Sequence, residues 1–294
     1  MTYSGSATPA ALSGRFLLGG DLPVHRLGFG AMRLPTGTFR GPARDPETGI
    51  AVLRRAVELG VNHIDTAWFY RRGGVVANEL IRTALAPYGE DLVIATKVGP
   101  LMGDDGPPSG QAGPHQLRGL VEDNLRTLGV DRLDLVYLRV GGMMDPGGES
   151  IADRYAALAE LRAEGLIRHL GVSNVDAAQL AEARAIAPVA AVQNTFHVQD
   201  RGDAELLRQC EKEGIAYVPF FPLGGGHRPI DPARMAEVTA RHQATAAQVA
   251  LAWLLAASPA MLAIPGTGSL AHLEENTTAS GIHLTPEDLT TLET

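Results

Sequence analysis

Hydrophobic and polar positions follow two patterns that alternate along the chain. Short runs of β-branched and aliphatic residues, typical of buried strands, are each followed by a longer amphipathic stretch with helical spacing. In Pro114–Leu128, for example, apolar residues recur every three or four positions and Gly129 follows as a cap. The strands predicted in this way are Leu27–Gly30, His63–Asp65, Leu92–Lys97, Leu135–Leu138, His169–Ser173, Val192–Asn194, Ala216–Phe221 and Leu262–Ile264.

The repeated strand–helix unit predicts the fold class. Eight units spaced by about 20 to 45 residues, without a break in composition, favour an α/β fold of the closed (β/α)8 TIM-barrel type. The alternative is an open Rossmann sheet, which requires a G-x-G-x-x-G turn after the first strand. The closest match begins at Gly28 and has Arg33 where the third glycine should stand. We therefore expect a single barrel domain over residues 15–294, preceded by a flexible segment over residues 1–14.

Two segments depart from the repeat. Phe16–Val24 has Gly19 and Gly20 between two apolar runs, which predicts a β-hairpin closing the bottom of the barrel. Leu101–Gln111 follows the third strand and is rich in Gly, Asp and Pro, which predicts a mobile loop on the face that carries active sites.

Composition narrows the classes of function. The 294 residues are 45% hydrophobic and 20% charged, as expected of a soluble globular protein with a large core. A net charge of −8 counts against a nucleic-acid partner. The longest apolar run, Val249–Ala257, is too short to span a membrane. Because the first residues contain no apolar signal region, we expect a cytoplasmic protein. We also expect either a monomer or a weak oligomer.

Metal binding is not expected. Cys210 is the one cysteine, so neither an intrachain disulfide nor a Cys-based metal site can form. The nine histidines are scattered and show no metal-ligand spacing.

Polar residues at predicted strand ends are the first catalytic candidates in a barrel. Asp65, Lys97 and Arg139 end the second, third and fourth strands, and Tyr70 follows Asp65 by five positions. A cation beside Tyr70 would lower the phenol pKa from ~10, by about 2 to 3, so that it could protonate a carbonyl oxygen near neutral pH. The alternative is a structural Asp–Lys ion pair with an unrelated aromatic residue at the rim.

An ordered series of short motifs carries a family resemblance. They are Leu27-Gly28-Phe29-Gly30, Asp65-Thr66-Ala67 with Tyr70, Asn78-Glu79, Thr96-Lys97, Gly171-Val172-Ser173-Asn174, Gln193-Asn194, Pro222-Leu223-Gly224 and Ile264-Pro265-Gly266-Thr267. From Leu27 onward the chain resembles the aldo-keto reductases, and a bacterial subgroup that includes a pyridoxal reductase in particular. The resemblance implies a catalytic tetrad of Asp65, Tyr70, Lys97 and Arg139, with Arg139 in place of the family's histidine.

The same resemblance implies a cofactor at the barrel mouth, NADPH with NADH as an alternative. Ser173, Asn174 and Gln193 would hold the carboxamide, and Phe220 would stack on the nicotinamide. Phosphate and adenine contacts would fall on two loops and the helix Leu270–Thr278. The full set implied is Gly30, Met32, Ser173, Asn174, Gln193, Phe220, Pro222, Leu223, Gly224, Gly225, Ile264, Pro265, Gly266, Thr267, Gly268, His272, Glu275 and Asn276.

The implied activity is reduction of a small aldehyde or ketone, with Trp68, Phe69 and Arg139 lining the substrate pocket. Arginine cannot shuttle a proton at neutral pH, so we expect Arg139 to orient the carbonyl or bind an anionic substituent. Two alternatives are a cofactor-binding sensory barrel with little turnover and a barrel lyase or isomerase. The latter leaves the Ser173, Gln193 and Pro265 motifs unexplained.

Overall fold

Seven parallel strands form the central sheet of the computed structural model, which describes residues 7–38, 41–102, 108–225 and 230–293. The strands are β1 Arg15–Leu18, β2 Leu22–His25, β3 Phe29–Gly30, β4 His63–Asp65, β5 Arg71–Arg72, β6 Val75–Val76, β7 Val93–Val98, β8 Pro100–Met102, β9 Pro108–Gln111, β10 Leu133–Arg139, β11 Ile167–Ser173, β12 Ala191–Gln193 and β13 Ala216–Tyr217. The spatial order in the central sheet is β13-β12-β11-β10-β7-β4-β3. The helices are α1 Pro46–Glu58, α2 Ala77–Leu85, α3 Pro114–Leu128, α4 Ala152–Ala163, α5 Ala177–Ile186, α6 Ala204–Glu213, α7 Ala236–His242, α8 Ala246–Ala257, α9 Leu270–Thr278 and α10 Pro286–Glu293.

The sheet closes into a barrel through the segment predicted as the eighth strand. Met261 bridges Tyr217 of β13 in parallel, and Ala263 bridges Leu27 before β3. The backbone N–H of Leu262 donates to the Tyr217 carbonyl at 2.9 Å. These isolated bridges replace a regular ladder, but they join both edges of the seven-stranded sheet. The predicted barrel is thereby confirmed, and the open Rossmann alternative is wrong.

The N-terminal hairpin of β1 and β2 closes the bottom of the barrel, as predicted. Leu18, Leu22 and Val24 belong to one buried cluster with the interior residues of the strands, such as Leu135 on β10. At the hairpin turn Asp21 accepts hydrogen bonds from Arg168, at 2.7 and 3.1 Å. This polar contact ties the turn to the start of β11.

The helices form an outer layer over a second, larger apolar cluster between themselves and the strands. Their ends follow the local sequence. The Asp45 carboxylate caps α1 by accepting from the backbone N–H of Thr48 at 3.1 Å. Gly129 ends α3 in the left-handed conformation, with a φ of 71°. Because α1, α4, α5 and α6 each follow a strand of the barrel, their N-termini lie at the same face as the strand C-termini.

Two expectations about irregular segments need correction. Leu101–Gln111 is not a plain loop, because β8 and β9 pair as an antiparallel hairpin on either side of residues 103–107, which lie outside the described residues. Residues 7–14, assigned to a flexible segment, contain a 3-10 helix over Pro9–Ser13 in which Ala10 is fully buried. The Ala10 backbone N–H donates to the Leu59 carbonyl at 3.0 Å, so this part packs on the barrel.

Candidate active site

A buried ion pair lies at the C-terminal mouth of the barrel. Asp65 ends β4 and Lys97 lies near the end of β7, and each side chain is only 2% exposed. The Lys97 ammonium donates to Asp65 Oδ1 at 2.5 Å and to the Thr66 carbonyl at 2.8 Å. Gln193 at the end of β12 donates to the other Asp65 oxygen at 2.9 Å. Both charges are therefore paired and their orientation is fixed.

Tyr70 joins this pair from the loop after β4. The Lys97 Nζ lies 4.9 Å from the centroid of the Tyr70 ring. Phe69 packs edge-on against the same ring, with centroids 5.2 Å apart and planes at 84°. The phenol is thus held between an aromatic wall and a buried cation.

The direction of the Tyr70 pKa differs from the expectation. Burial raises the pKa of the phenol, and the nearby Asp65 carboxylate acts in the same direction. Lys97 and Arg139 oppose both effects but do not outweigh them, so the net pKa lies above its usual value. The predicted lowering is wrong because removal of the phenol from water penalises its anion more than the cations favour it.

Arg139 ends β10 and lies beside Tyr70, as the strand pattern predicted. Its guanidinium stacks 4.7 Å from the centre of the Phe220 ring. One terminal nitrogen donates to Ser173 Oγ at 3.2 Å, and the other donates to the Met143 carbonyl at 2.5 Å. Burial lowers the pKa of this guanidinium. Arginine nevertheless stays charged in proteins, so the mouth keeps a second fixed cation.

The three residues expected to hold a carboxamide differ in their free hydrogen-bonding capacity. Ser173 accepts from Arg139, which leaves its hydroxyl proton to donate. Asn174 is committed through its amide nitrogen, which donates to the carbonyls of Val140 and Asp145 at 2.9 Å each. Gln193 Oε1 is buried and finds no hydrogen-bond partner at normal distance among the described residues, although the Tyr137 hydroxyl lies close to the same side chain.

Glycines let the loops after β3, β13 and the eighth strand lie close to neighbouring backbone and side chains. A methyl group on Gly30 would lie 2.7 Å from the carbonyl oxygen of Ile264, and one on Gly266 would overlap the Gly30 carbonyl. A methyl group on Gly225 would overlap the Phe221 side chain. Phe221 itself has a φ of 57°, which is unusual for a residue other than glycine. The remaining loop residues expected near a cofactor are Met32, Pro222, Leu223, Gly224, Pro265 and Thr267, and they lie on these same segments.

Two arginines that the sequence reasoning passed over also lie here. Arg33 donates to the Gly225 carbonyl at 2.8 Å and is close enough to Tyr70 for their charges to interact. Arg44 lies farther out, with its guanidinium over Gly268 just before α9. The available signal was the position of Arg44 directly before Asp45, the N-cap of α1, since helix N-termini in a barrel face the mouth.

The residues predicted for the far end of the cofactor lie on α9. His272 is exposed, and its backbone N–H donates to the capping Ser269 hydroxyl at 3.4 Å. Glu275 accepts from the Thr245 hydroxyl at 2.5 Å. Asn276 is 5% exposed. Only His272 and Glu275 thus present substantial surface to a ligand.

Trp68, predicted to line the substrate pocket, is hydrogen-bonded to the helix layer outside the strands. Its indole N–H donates to Asp123 on α3 at 2.6 Å, and Arg71 stacks 4.5 Å from its ring. Phe69 packs edge-on against the Tyr70 ring. The indole is therefore anchored to the outer helix layer.

The part of the chain that the structure describes offers neither a metal site nor a membrane-spanning helix. It contains no group of three or more His, Cys, Asp or Glu side chains placed to hold a metal ion. None of its helices is long and apolar enough to cross a bilayer.

Comparison with known proteins agrees with this geometry. The model of the Aldo/keto reductase family matches residues 26–294. Pyridoxine 4-dehydrogenase of Escherichia coli is 48% identical over 276 residues, covering 93% of this chain and 96% of the relative. Methylglyoxal reductase YeaE of the same organism is 30% identical, covering 93% and 92%. An aldo-keto reductase from Klebsiella pneumoniae, solved in complex with NADPH, superposes with a TM-score of 0.79 at 28% identity, covering 95% and 93%.

Proposed function

Because the chain belongs to the aldo/keto reductase family, we propose that it reduces a small aldehyde or ketone with NADPH, using Tyr70 as the proton donor. The observation that carries this proposal is the arrangement of Tyr70 over Lys97, which is itself paired with Asp65. A buried acid beside a fixed cation is what protonation of a carbonyl oxygen requires.

The residues at the mouth fit a nicotinamide. Gln193 Oε1 is a buried acceptor with no hydrogen-bond partner at normal distance in the described chain, so it suits an amide N–H. The Ser173 hydroxyl can donate to the carboxamide oxygen, and Phe220 offers a flat apolar face. NADPH supplies a hydride when it is bound. The complex of the Klebsiella relative with NADPH supports this choice of cofactor.

Residues of the chain donate the proton and stabilise the anion that remains. Tyr70 donates its O–H proton to the carbonyl oxygen as that oxygen gains negative charge. The resulting phenolate is stabilised by the Lys97 ammonium, and Asp65 holds Lys97 charged and in place. The raised pKa of Tyr70 keeps the phenol protonated at neutral pH, which is the form that reduction consumes.

The proposed substrate class rests on the names of two relatives and on the hydrogen-bond donors at the barrel mouth. One relative is named for pyridoxine and another for methylglyoxal, so we propose small aldehydes, pyridoxal among them. Arg139 has five N–H groups and makes three hydrogen bonds, to Ser173, Gly142 and Met143. The remaining N–H groups can donate to a carbonyl or an anionic substituent.

Tyr70→Phe tests the proposal. NADPH oxidation would be followed optically with pyridoxal, methylglyoxal and aryl aldehydes, alongside cofactor binding by fluorescence. We expect kcat to fall by about 10²- to 10⁴-fold while the Kd for NADPH stays within about twofold, because the variant loses only the acid. Tyr88→Phe is the matched control, since the Tyr88 hydroxyl donates to the Leu128 carbonyl instead.

Two results would count against a reductase. Unchanged turnover in Tyr70→Phe would remove Tyr70 from the proton path. Tight NADPH binding by the wild-type protein, without turnover on any carbonyl, would favour the sensory barrel.

A further inference from the structure

A cation with no counterion among the described residues lies at the N-terminal end of α9. The Arg44 guanidinium lies in the space above Gly268, where a methyl group would overlap its Nη1 and lie 2.8 Å from its Cζ. On its other side it packs against Gly37, with Nη2 2.9 Å from where a Cβ would be. Among the described residues, no hydrogen bond or ion pair of this side chain is found.

This lack of partners separates Arg44 from its neighbour Arg33. Arg33 donates to the carbonyls of Gly37 and Gly225, at 2.9 and 2.8 Å, as a structural arginine does. Arg44 is fixed only through its backbone N–H, which donates to the Pro35 carbonyl at 2.9 Å. Its charge also lies near enough to lower the pKa of Arg33. A guanidinium without a partner among the described residues, held beside a second arginine, indicates a site for an anion.

The surroundings of Arg44 suit a phosphate. Gly268 lies between Thr267 and Ser269, the hydroxyl cap of α9. The backbone N–H groups of Thr267 and Gly268 make no hydrogen bond within the described chain, and the helix N-terminus adds partial positive charge. A guanidinium, two hydroxyls and free N–H groups therefore converge on one corner of the mouth.

We propose that Arg44 binds the 2′-phosphate of NADPH and sets the preference for NADPH over NADH. This inference rests on the proposed function. Arg33 lies nearer Tyr70, and hence nearer the reacting end, which places it beside the pyrophosphate common to both cofactors. Arg44 lies at the outer end of the same path, against α9. It supplies a guanidinium charge on a segment where Gly266 has no side chain.

The test is direct cofactor binding by the full-length protein. The Kd values of NADPH and NADH would be measured by fluorescence for wild type, Arg44→Ala and Gly268→Ala. Gly268→Ala keeps every charge but pushes the guanidinium aside, at low cost to folding because a flexible side chain can move. Arg54→Ala is the control, since Arg54 is an exposed cation on α1 that donates to the Ala84 carbonyl.

We expect Arg44→Ala to raise the Kd of NADPH by about 10- to 100-fold, with that of NADH within about twofold, as for loss of a charge-assisted hydrogen bond. Gly268→Ala should lower the NADPH preference less, and Arg54→Ala should leave it unchanged. An equal loss of affinity for both cofactors would assign Arg44 to the pyrophosphate and overturn the inference. An unchanged preference for NADPH in Arg44→Ala and Gly268→Ala would also overturn it. A wild-type protein that binds neither cofactor would overturn the proposed function as well.

Discussion

Charge at single residues decides how the site responds to pH. Burial raises the pKa of Tyr70, whereas Lys97 and Arg139 act to lower it. A reductase needs the protonated phenol, so its activity is present below that pKa and is lost as the pH rises through it. Each cation therefore affects the pH at which activity is lost on the alkaline side.

Arg139→Gln gives a prediction with a definite sign. Removal of this cation raises the pKa of Tyr70, so the alkaline limb of the kcat/KM profile for reduction should move to higher pH. The neutral amide can still donate to Ser173, which limits structural damage. The measurement is the pH profile of wild type and variant with one aldehyde. A limb that moves to lower pH would show that Arg139 does not act on Tyr70 through its charge.

What the sequence could predict at this scale was position, not environment. Asp65, Lys97 and Arg139 were placed together because each ends a parallel strand, and strand ends meet at one mouth. The direction of the Tyr70 pKa was missed because it depends on how fully the phenol is removed from water. Arg44 was missed because its contact with Gly268 joins distant parts of the chain, and its place before the N-cap of α1 was the one local signal.

At the scale of elements, the regular units were predictable and their exceptions were not. Strands followed from short continuous apolar runs, and helices followed from a hydrophobic period of about 3.6 residues. The β8–β9 hairpin was missed because Gly and Pro dominate Leu101–Gln111, and backbone pairing here does not depend on apolar side chains. The hairpin of β1 and β2 was predicted because apolar runs flank Gly19 and Gly20.

Leu18→Ala tests the hairpin as a structural plug. Leu18 is fully buried among the interior residues of the barrel, so its truncation should lower the free energy of unfolding by about 2 to 5 kcal/mol. The kinetic constants should stay unchanged, because active sites lie at the opposite face. Urea unfolding and steady-state kinetics measure the two quantities.

The matched control is Leu17→Ala, one position away on the same strand. Leu17 is 53% exposed, so its loss should change stability by no more than about 0.5 kcal/mol. Equal destabilisation by the two variants would mean that the hairpin does not seal the barrel.

On the scale of the whole molecule, a buried carboxylate joins the last helix to the barrel. Asp288 on α10 is fully buried and accepts from His242 at 2.8 Å and from the Thr285 backbone N–H at 2.8 Å, and it pairs with Arg241. Although burial acts to raise it, these partners hold the pKa of Asp288 well below its ordinary value. The ionised form therefore stabilises the folded state.

Asp288→Asn should lower the free energy of unfolding by about 1.5 to 3 kcal/mol at pH 7, since hydrogen bonds to a charged group are lost. The folded pKa is depressed, so this stabilisation is complete above the usual carboxyl value of 3.8 and disappears as the pH falls toward the folded pKa. Urea unfolding at several pH values should show the two proteins converging in acid.

Glu287→Gln is the control for this change. Glu287 is 80% exposed and lies 3.8 Å from the same Arg241, so its loss should matter little. A difference between wild type and Asp288→Asn that does not shrink in acid would mean that the ionised carboxylate is not the cause.

The contact of the bottom hairpin with β11 also bears on how the protein is made. Asp21 and Arg168 are 147 positions apart. At about 5 to 20 residues per second, a ribosome needs roughly 7 to 30 s to travel from one to the other. During synthesis the hairpin therefore lacks its Arg168 contact for that time, and chaperones that bind nascent chains can act before the hairpin is tied to β11.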